Sequence, residues 1–209
     1  MSRQLVLLAD VVNSRSIDDR ERFRDRLRAA FVSVNETESK HLTVPVSTMK
    51  GVDEFGCILN HLAPLPDIIV PLLRAAHPHG IRFGVAMGKI DIGMGENSVA
   101  AMDGTAFHDA SALLEDLRDS GLFVALQTGN QLDTLVGGAL NLLAMGEIGV
   151  TPRQLEIIQA YETHGTQVGA AESLDIHQQA VSESLKRAQY GQRDAIRTKL
   201  RQALEELYD

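Results

Sequence analysis

The sequence predicts an α+β unit followed by an all-α one, and three observations carry that expectation. Gln4–Val12 is a continuous apolar run broken only by Asp10, which reads as a buried strand. Beyond it, short apolar runs alternate with stretches of helical spacing as far as residue 147. From Thr151 on, the chain turns polar, helical and nearly glycine-free.

The elements follow in order. Asp18–Ser33 reads as a helix, because Phe23, Leu27, Ala30, Phe31 and Val34 share one face. Leu42–Thr48 alternates as a strand does, and Phe55–Leu59 is apolar again. Lys50-Gly51-Val52-Asp53-Glu54 between them is short and polar enough for a hairpin turn. A helix over Pro66–Ala76 stops at His77-Pro78-His79-Gly80. Then come a strand over Ile81–Met87, a helix over Asp103–Leu117, a strand over Phe123–Gln127 and a helix over Gln131–Leu143. The order β-α-β-β-α-β-α-β-α predicts a ferredoxin-like core with an added strand and helix. Phe55, Phe83, Phe107 and Cys57 are core candidates. Gly146 and Gly149 close this unit, while Thr151 and Pro152 supply an N-cap and a first helical residue. The expected division is residues 1–147 and 148–209.

Composition bounds the function. The 209 residues are 44% hydrophobic and 23% charged, which is the balance of a globular protein with a real core. No apolar run approaches the roughly 18 residues of a membrane span, and no secretory signal is legible at the N-terminus. One cysteine excludes an intrachain disulfide framework and a thiolate-rich zinc site, so the expected location is cytoplasmic. The net charge of −8 argues against a nucleic-acid partner until it is divided along the chain. Between Lys186 and Arg201 stand six Lys and Arg against Asp194 alone.

Asp10 is the informative residue of the first unit, since an unpaired buried carboxylate costs several kcal/mol. Spacing alone favours an Asp10 that caps the following loop through Asn13 and Ser14, with an exposed turn at Asp53-Glu54. The alternative is that the hairpin tip lies beside the end of the first strand. Asp10 and Asp53 then converge on Mg²⁺, whose oxygen preference suits carboxylates and phosphates. Arg20, Arg24 and Arg28 form a stripe interleaved with Asp19, Glu21 and Asp25, a solvated face rather than an anion site. His77 and His79 lack metal-ligand spacing, and Gly93-Met94-Gly95 lacks the context of a dinucleotide fingerprint.

Four segments, LLADVVNSR, KGVDEFGCIL, IRFGVAMGKI and DGTAFHDASALLEDL, occur in an order and spacing that resemble the SatD family. More distantly they resemble the palm-type core of class III nucleotidyl cyclases and diguanylate cyclases. The resemblance covers residues 5–117. It implies a cyclase-like palm, metal-ligand roles for Asp10 and Asp53 with Glu54 nearby, and Mg²⁺ as cofactor. It also implies nucleotide phosphate contacts from Val12, Asn13, Ser14 and Arg15. The departures disfavour a competent cyclase. His108 stands where such cyclases carry Asn, and Ala112 where they carry the Arg that steadies developing phosphate charge. Gly51-Val52 replaces the Gly-Gly of diguanylate cyclases. His108 is left either as a nucleotide contact or as a structural residue. A ligand-binding or degenerate cyclase-like unit is the expectation.

The second unit reads as three helices: Gln154–Thr163, Gln167–Leu174 and His177–Tyr190. Gly165 and Asp175 stand where left-handed backbone is needed. Ala171, Leu174, Ile176, Val181 and Leu185 meet the packing requirement of a helix-turn-helix. The stretch 151–189 resembles the helix-turn-helix of LuxR-type regulators and region four of sigma factors. By that resemblance the third helix presents His177, Gln178, Gln179, Ser182, Glu183 and Lys186 to double-stranded DNA: the first three or four reach base edges, Glu183 either accepts from cytosine or repels wrong approaches, and Lys186 and Arg187 lie at phosphates. A tri-helix used for protein contacts is the alternative. Gln192–Tyr208 is a last amphipathic helix, which either packs back on the first unit or pairs with a second chain as a homodimer. The expected function is a DNA-binding transcriptional regulator with a non-catalytic nucleotide-binding or scaffold unit and no membrane partner. The alternatives are a Mg²⁺-dependent nucleotidyl enzyme tethered to DNA and a protein adaptor.

Overall fold

The computed structural model describes residues 3–51, 53–93 and 95–208; Val52 of the expected turn and Met94 of the glycine loop lie outside them. The order is β1 (Gln4–Val11), α1 (Arg20–Thr37), β2 (Leu42–Lys50), β3 (Glu54–Leu59), α2 (Leu65–Ala76), β4 (Ile81–Gly88), α3 (Thr105–Ser120), β5 (Val124–Gln127) and α4 (Asp133–Ile148). Four more helices follow: α5 (Pro152–His164), α6 (Gln167–Ser173), α7 (Gln178–Arg187) and α8 (Tyr190–Leu207). The sheet runs β2-β3-β1-β4-β5, antiparallel except for the β4–β5 pair. Its first four strands have the ferredoxin-like connectivity read from the sequence, and β5 is the added edge strand.

β1 is apolar on both faces because both are covered. Leu5, Leu7, Ala9 and Val11 join the larger core with α1, α2 and α4, while Val6 and Leu8 face the core built with α3. Two glycines of β4 let α3 lie close: a Cβ at Gly84 would stand 2.4 Å from the Ala110 carbonyl oxygen, and one at Gly88 2.6 Å from the Ala106 nitrogen. The start of the open edge of β5 is capped by a side chain of α4. Asn141 Oδ1 accepts from the N–H groups of Phe123 and Val124, and its Nδ2 donates to the Val124 carbonyl. Phe55, Phe83, Phe107 and Cys57 are all buried, as expected.

Helices α5, α6 and α7 enclose a third core of Leu155, Ile158, Ala170, Ala171, Val181 and Leu185. Their ends carry the signals read from sequence. The Thr151 hydroxyl accepts from the Gln154 N–H while the Gln154 side chain accepts from the Thr151 N–H. Gly165 and Asp175 take left-handed backbone at φ 68° and 51°. The chain leaves this core at Gln189, also left-handed, and α8 then lies across α2 and α4. Leu204 is buried in the first unit's core with Leu200 and Tyr208 packed beside it. Of the two roles open to the last helix, its apolar face has the first: it packs back on its own chain.

Candidate functional site

β1 carries Asp10 to the end of the sheet, on the α3 face. It lies in register between Glu54 of β3 and Arg82 of β4. Arg82 crosses to it as a two-pronged ion pair, Nε to Oδ1 at 2.8 Å and Nη2 to Oδ2 at 2.9 Å. Arg118, in the last turn of α3, adds a second guanidinium 3.9 Å from Oδ2. Asp53 reaches the same place from the β2–β3 turn: its carbonyl accepts from the Val11 N–H and its carboxylate from the Ser14 hydroxyl. Asn13 is left-handed at φ 55° and starts a single 3-10 turn over Ser14–Ser16. The result is an open cleft of about 500 Å³ in which Asp10, Asp53 and Glu54 face Arg15, Arg82 and Arg118.

The three carboxylates expected to hold Mg²⁺ therefore line one cleft, but they do not fit a divalent cation. Both oxygens of Asp10 already accept from the Arg82 guanidinium, with that of Arg118 beside it, so a divalent cation there would meet two like charges. Among the described residues no three His, Cys, Asp or Glu side chains are grouped to hold a metal. The expected nucleotide contacts separate as well. Asn13, Ser14 and Arg15 line the cleft, whereas the Val12 N–H is spent on the Gly80 carbonyl at 2.8 Å. That corrects the role given to Val12. His108 stands in the first turn of α3, ten residues and about 15 Å of helix from Arg118. Its Nε2 is 2.9 Å from Asp103 Oδ1. Asp103 is held below the usual carboxylate range by the Gly104 N–H and then by His108. Within one chain, then, His108 is a surface partner of Asp103 and no part of the cleft. Sequence reasoning missed Arg82 and Arg118. Arg82 was open to discovery, since a charge one residue into a strand otherwise apolar calls for an opposite charge across the ladder.

The second candidate site is α7. His177, Gln178, Gln179, Ser182, Glu183, Lys186 and Arg187 are all exposed, on one continuous surface. Glu183 accepts from Gln179 at 3.1 Å and from Arg187 at 3.3 Å, so part of that row is tied to itself. The basic run beyond it is not the free surface that its sequence implied. Arg193 donates to Glu147, Gly146 and Ala188; Arg197 pairs with Asp67 and Asp194; Arg201 pairs with Glu38 and Asp67. These three arginines face inward because α8 turns its second stripe onto acidic residues of the first unit. Lys186, Arg187 and Lys199 remain exposed.

A seam of buried charge joins the two sites' supports. Glu147, 3% exposed at the end of α4, lies 2.7 Å from Arg74 of α2 and 2.9 Å from Arg193 of α8. Arg74 also reaches Glu162 of α5 at 2.7 Å, and the Tyr190 hydroxyl donates to the same carboxylate. Buried His77 adds a contact of 2.8 Å between Nε2 and the Val150 carbonyl. The tri-helix segment is thereby fastened to the first unit by Arg74–Glu162 and His77–Val150, and α8 by Glu147–Arg193.

The sequence matches the SatD family over residues 4–142. The chain belongs to the SatD family. The match runs from β1 into α4, ending before its last six residues, and does not reach α5–α8. Among curated proteins no significant sequence match is found. Similar solved structures include two of bacterial light-regulated adenylyl cyclases, each covering 60% of this chain. One is 14% identical with a TM-score of 0.44, and this chain spans 42% of its length. The other is 16% identical with a TM-score of 0.40, and 75% of it is covered. A regulator of polyketide synthase expression from Bifidobacterium adolescentis is 17% identical over 98% of this chain and 85% of its own, with a TM-score of 0.28.

Proposed function

We propose that this SatD-family chain is a regulator that reads duplex DNA through α7 and carries a non-catalytic cyclase-like unit as its scaffold. The supporting observation is the α6–turn–α7 pair: the helices cross over buried Ala171, and every side chain expected at base edges points to solvent. The non-catalytic part rests on Asp10, which Arg82 neutralises, and on Ala112 at the position of a phosphate-clamping arginine. The exposed cations set a limit on affinity. With Lys186, Arg187 and Lys199 available per chain, log K should fall with log salt at a slope of about −2 to −3. Fluorescence anisotropy against duplex genomic fragments from 50 to about 200 mM salt measures it. A slope in that range that flattens in Lys186→Ala supports the reading; no binding at low salt rejects it.

A second reading, a protein adaptor, draws on charge. Residues 151–187 carry Arg153, Lys186 and Arg187 against Glu156, Glu162, Glu172, Asp175 and Glu183, an acidic surface suited to a basic protein partner. It predicts no salt-dependent DNA binding at any concentration. Incubation with ATP or GTP and Mg²⁺ tests the remaining alternative, a nucleotidyl enzyme, and no product is expected.

A further inference from the structure

We propose that α4 is a self-association seam through which two copies of this chain pair antiparallel. The proposal is independent of whether α7 meets DNA. α4 carries large apolar side chains on its exposed face as well as its buried one, which is expected of a helix covered on both sides. One side is covered by the sheet edge and the larger core, through Val136, Leu140 and Ala144. The other side is bare: Leu135 is 70% exposed, Leu142 73% and Met145 41%. With Gly138, these residues fall at positions 135, 138, 142 and 145, the alternating three–four spacing of a two-helix seam.

The partner that fits this face is a second copy. About a two-fold axis near residue 140, the four positions are self-complementary. Leu142 meets the partner's Gly138, and Leu135 meets the partner's Met145, so that each bulky side chain faces a small or yielding one. A Cβ at Gly138 would touch nothing in the chain itself, which leaves that position open as the hole for an incoming leucine. Charge agrees. The protein carries a net −8, so most faces of two copies repel. Between Asp133 and Glu147, however, there is no charged residue. Both bounding carboxylates turn inward, Asp133 to Thr128 and Tyr208, Glu147 to Arg74 and Arg193. A lipid surface fits less well. No Lys, Arg or His occurs between Arg118 and Arg153 to meet phospholipid headgroups. One face of a 16-residue helix about 24 Å long covers less area than the roughly 800 Å² per partner of a standard interface. The expected affinity is therefore micromolar.

Sedimentation equilibrium of the full chain from about 1 to 100 µM is expected to show a reversible dimer that Leu142→Glu abolishes while its circular dichroism and Tm stay those of the parent. Register is tested by cysteines. Leu135→Cys and Met145→Cys chains should form a disulfide-linked dimer only when mixed. In each alone the two sulfurs would stand ten residues, about 15 Å, apart. Cys57 is fully buried and does not interfere. The proposal is overturned by a monomer throughout the range, by a dimer that survives Leu142→Glu, or by cross-linking within either single variant. Partition of a monomeric chain onto phosphatidylcholine vesicles would equally overturn it.

Discussion

Replacing Glu147 by alanine should loosen α8, and through Arg193 the end of α7, from the first unit at a calculable cost. Breaking a buried ion pair by removing one partner typically costs about 3–5 kcal/mol, because the other charge is left buried. Here the cost sits near the lower bound. Arg74 keeps Glu162, and Arg193 keeps the carbonyls of Gly146 and Ala188. Arg193 nevertheless has little in reserve: its Nη2 is already buried without a partner, and burial lowers its pKa. Burial would lower Arg74 too, but Glu147 and Glu162 outweigh it. For a chain of 209 residues each kcal/mol shifts Tm by about 2–4 °C, so a loss near 3 kcal/mol predicts a fall of about 6–12 °C. Scanning calorimetry reads it, and limited proteolysis at Gly149–Thr151 should accelerate in parallel. Glu147→Gln keeps the volume and one hydrogen bond and should fall between the two. If Glu147→Ala melts within about 2 °C of the parent, the seam is solvated and does not fix α8.

Other outcomes follow from single contacts. Titrating Mg²⁺ into the protein should give no saturable heat, because Arg82 occupies Asp10; a saturable isotherm would refute the clamp. Arg82→Gln should cost about 2 kcal/mol by urea titration, the value of a charged hydrogen-bonded pair. Burial pushes the Cys57 thiol up to about 12, so alkylation near neutral pH should require unfolding. His41 is held below its ordinary 6.5 by burial, then by Lys40 and Arg201, so the folded state prefers it neutral. The unfolded chain binds that proton first, and stability should drop as pH falls below about 6.5; His41→Gln should flatten that part of the Tm–pH curve.

Most of the first unit was legible because its elements obey local rules. β1 announces itself as an apolar run and α1 by Phe23, Leu27 and Phe31 on one face; in the second unit α5 does so by Thr151 as N-cap, Pro152 as first residue and Gly165 beyond its end. The cleft was half legible. Asp10, Asp53 and Glu54 are brought together, but their meaning depends on Arg82, 72 residues away, and on Arg118, supplied by another helix. A long-range ion pair leaves no local pattern, so carboxylates that suggested a metal alone turn out to face guanidinium groups. The same limit misled the reading of α8. Arg193, Arg197 and Arg201 look like a nucleic-acid surface until Glu38, Asp67 and Glu147 are placed opposite them.

The proposed function requires α7 to meet DNA. Capture of sheared genomic DNA by the parent protein, beside a Gln178→Ala/Gln179→Ala variant, addresses that directly. A shared sequence motif should be recovered with the parent and depleted roughly tenfold or more with the variant, the value of one or two bidentate base contacts. Recovery of no enriched sequence, or of the same set with both proteins, would contradict it.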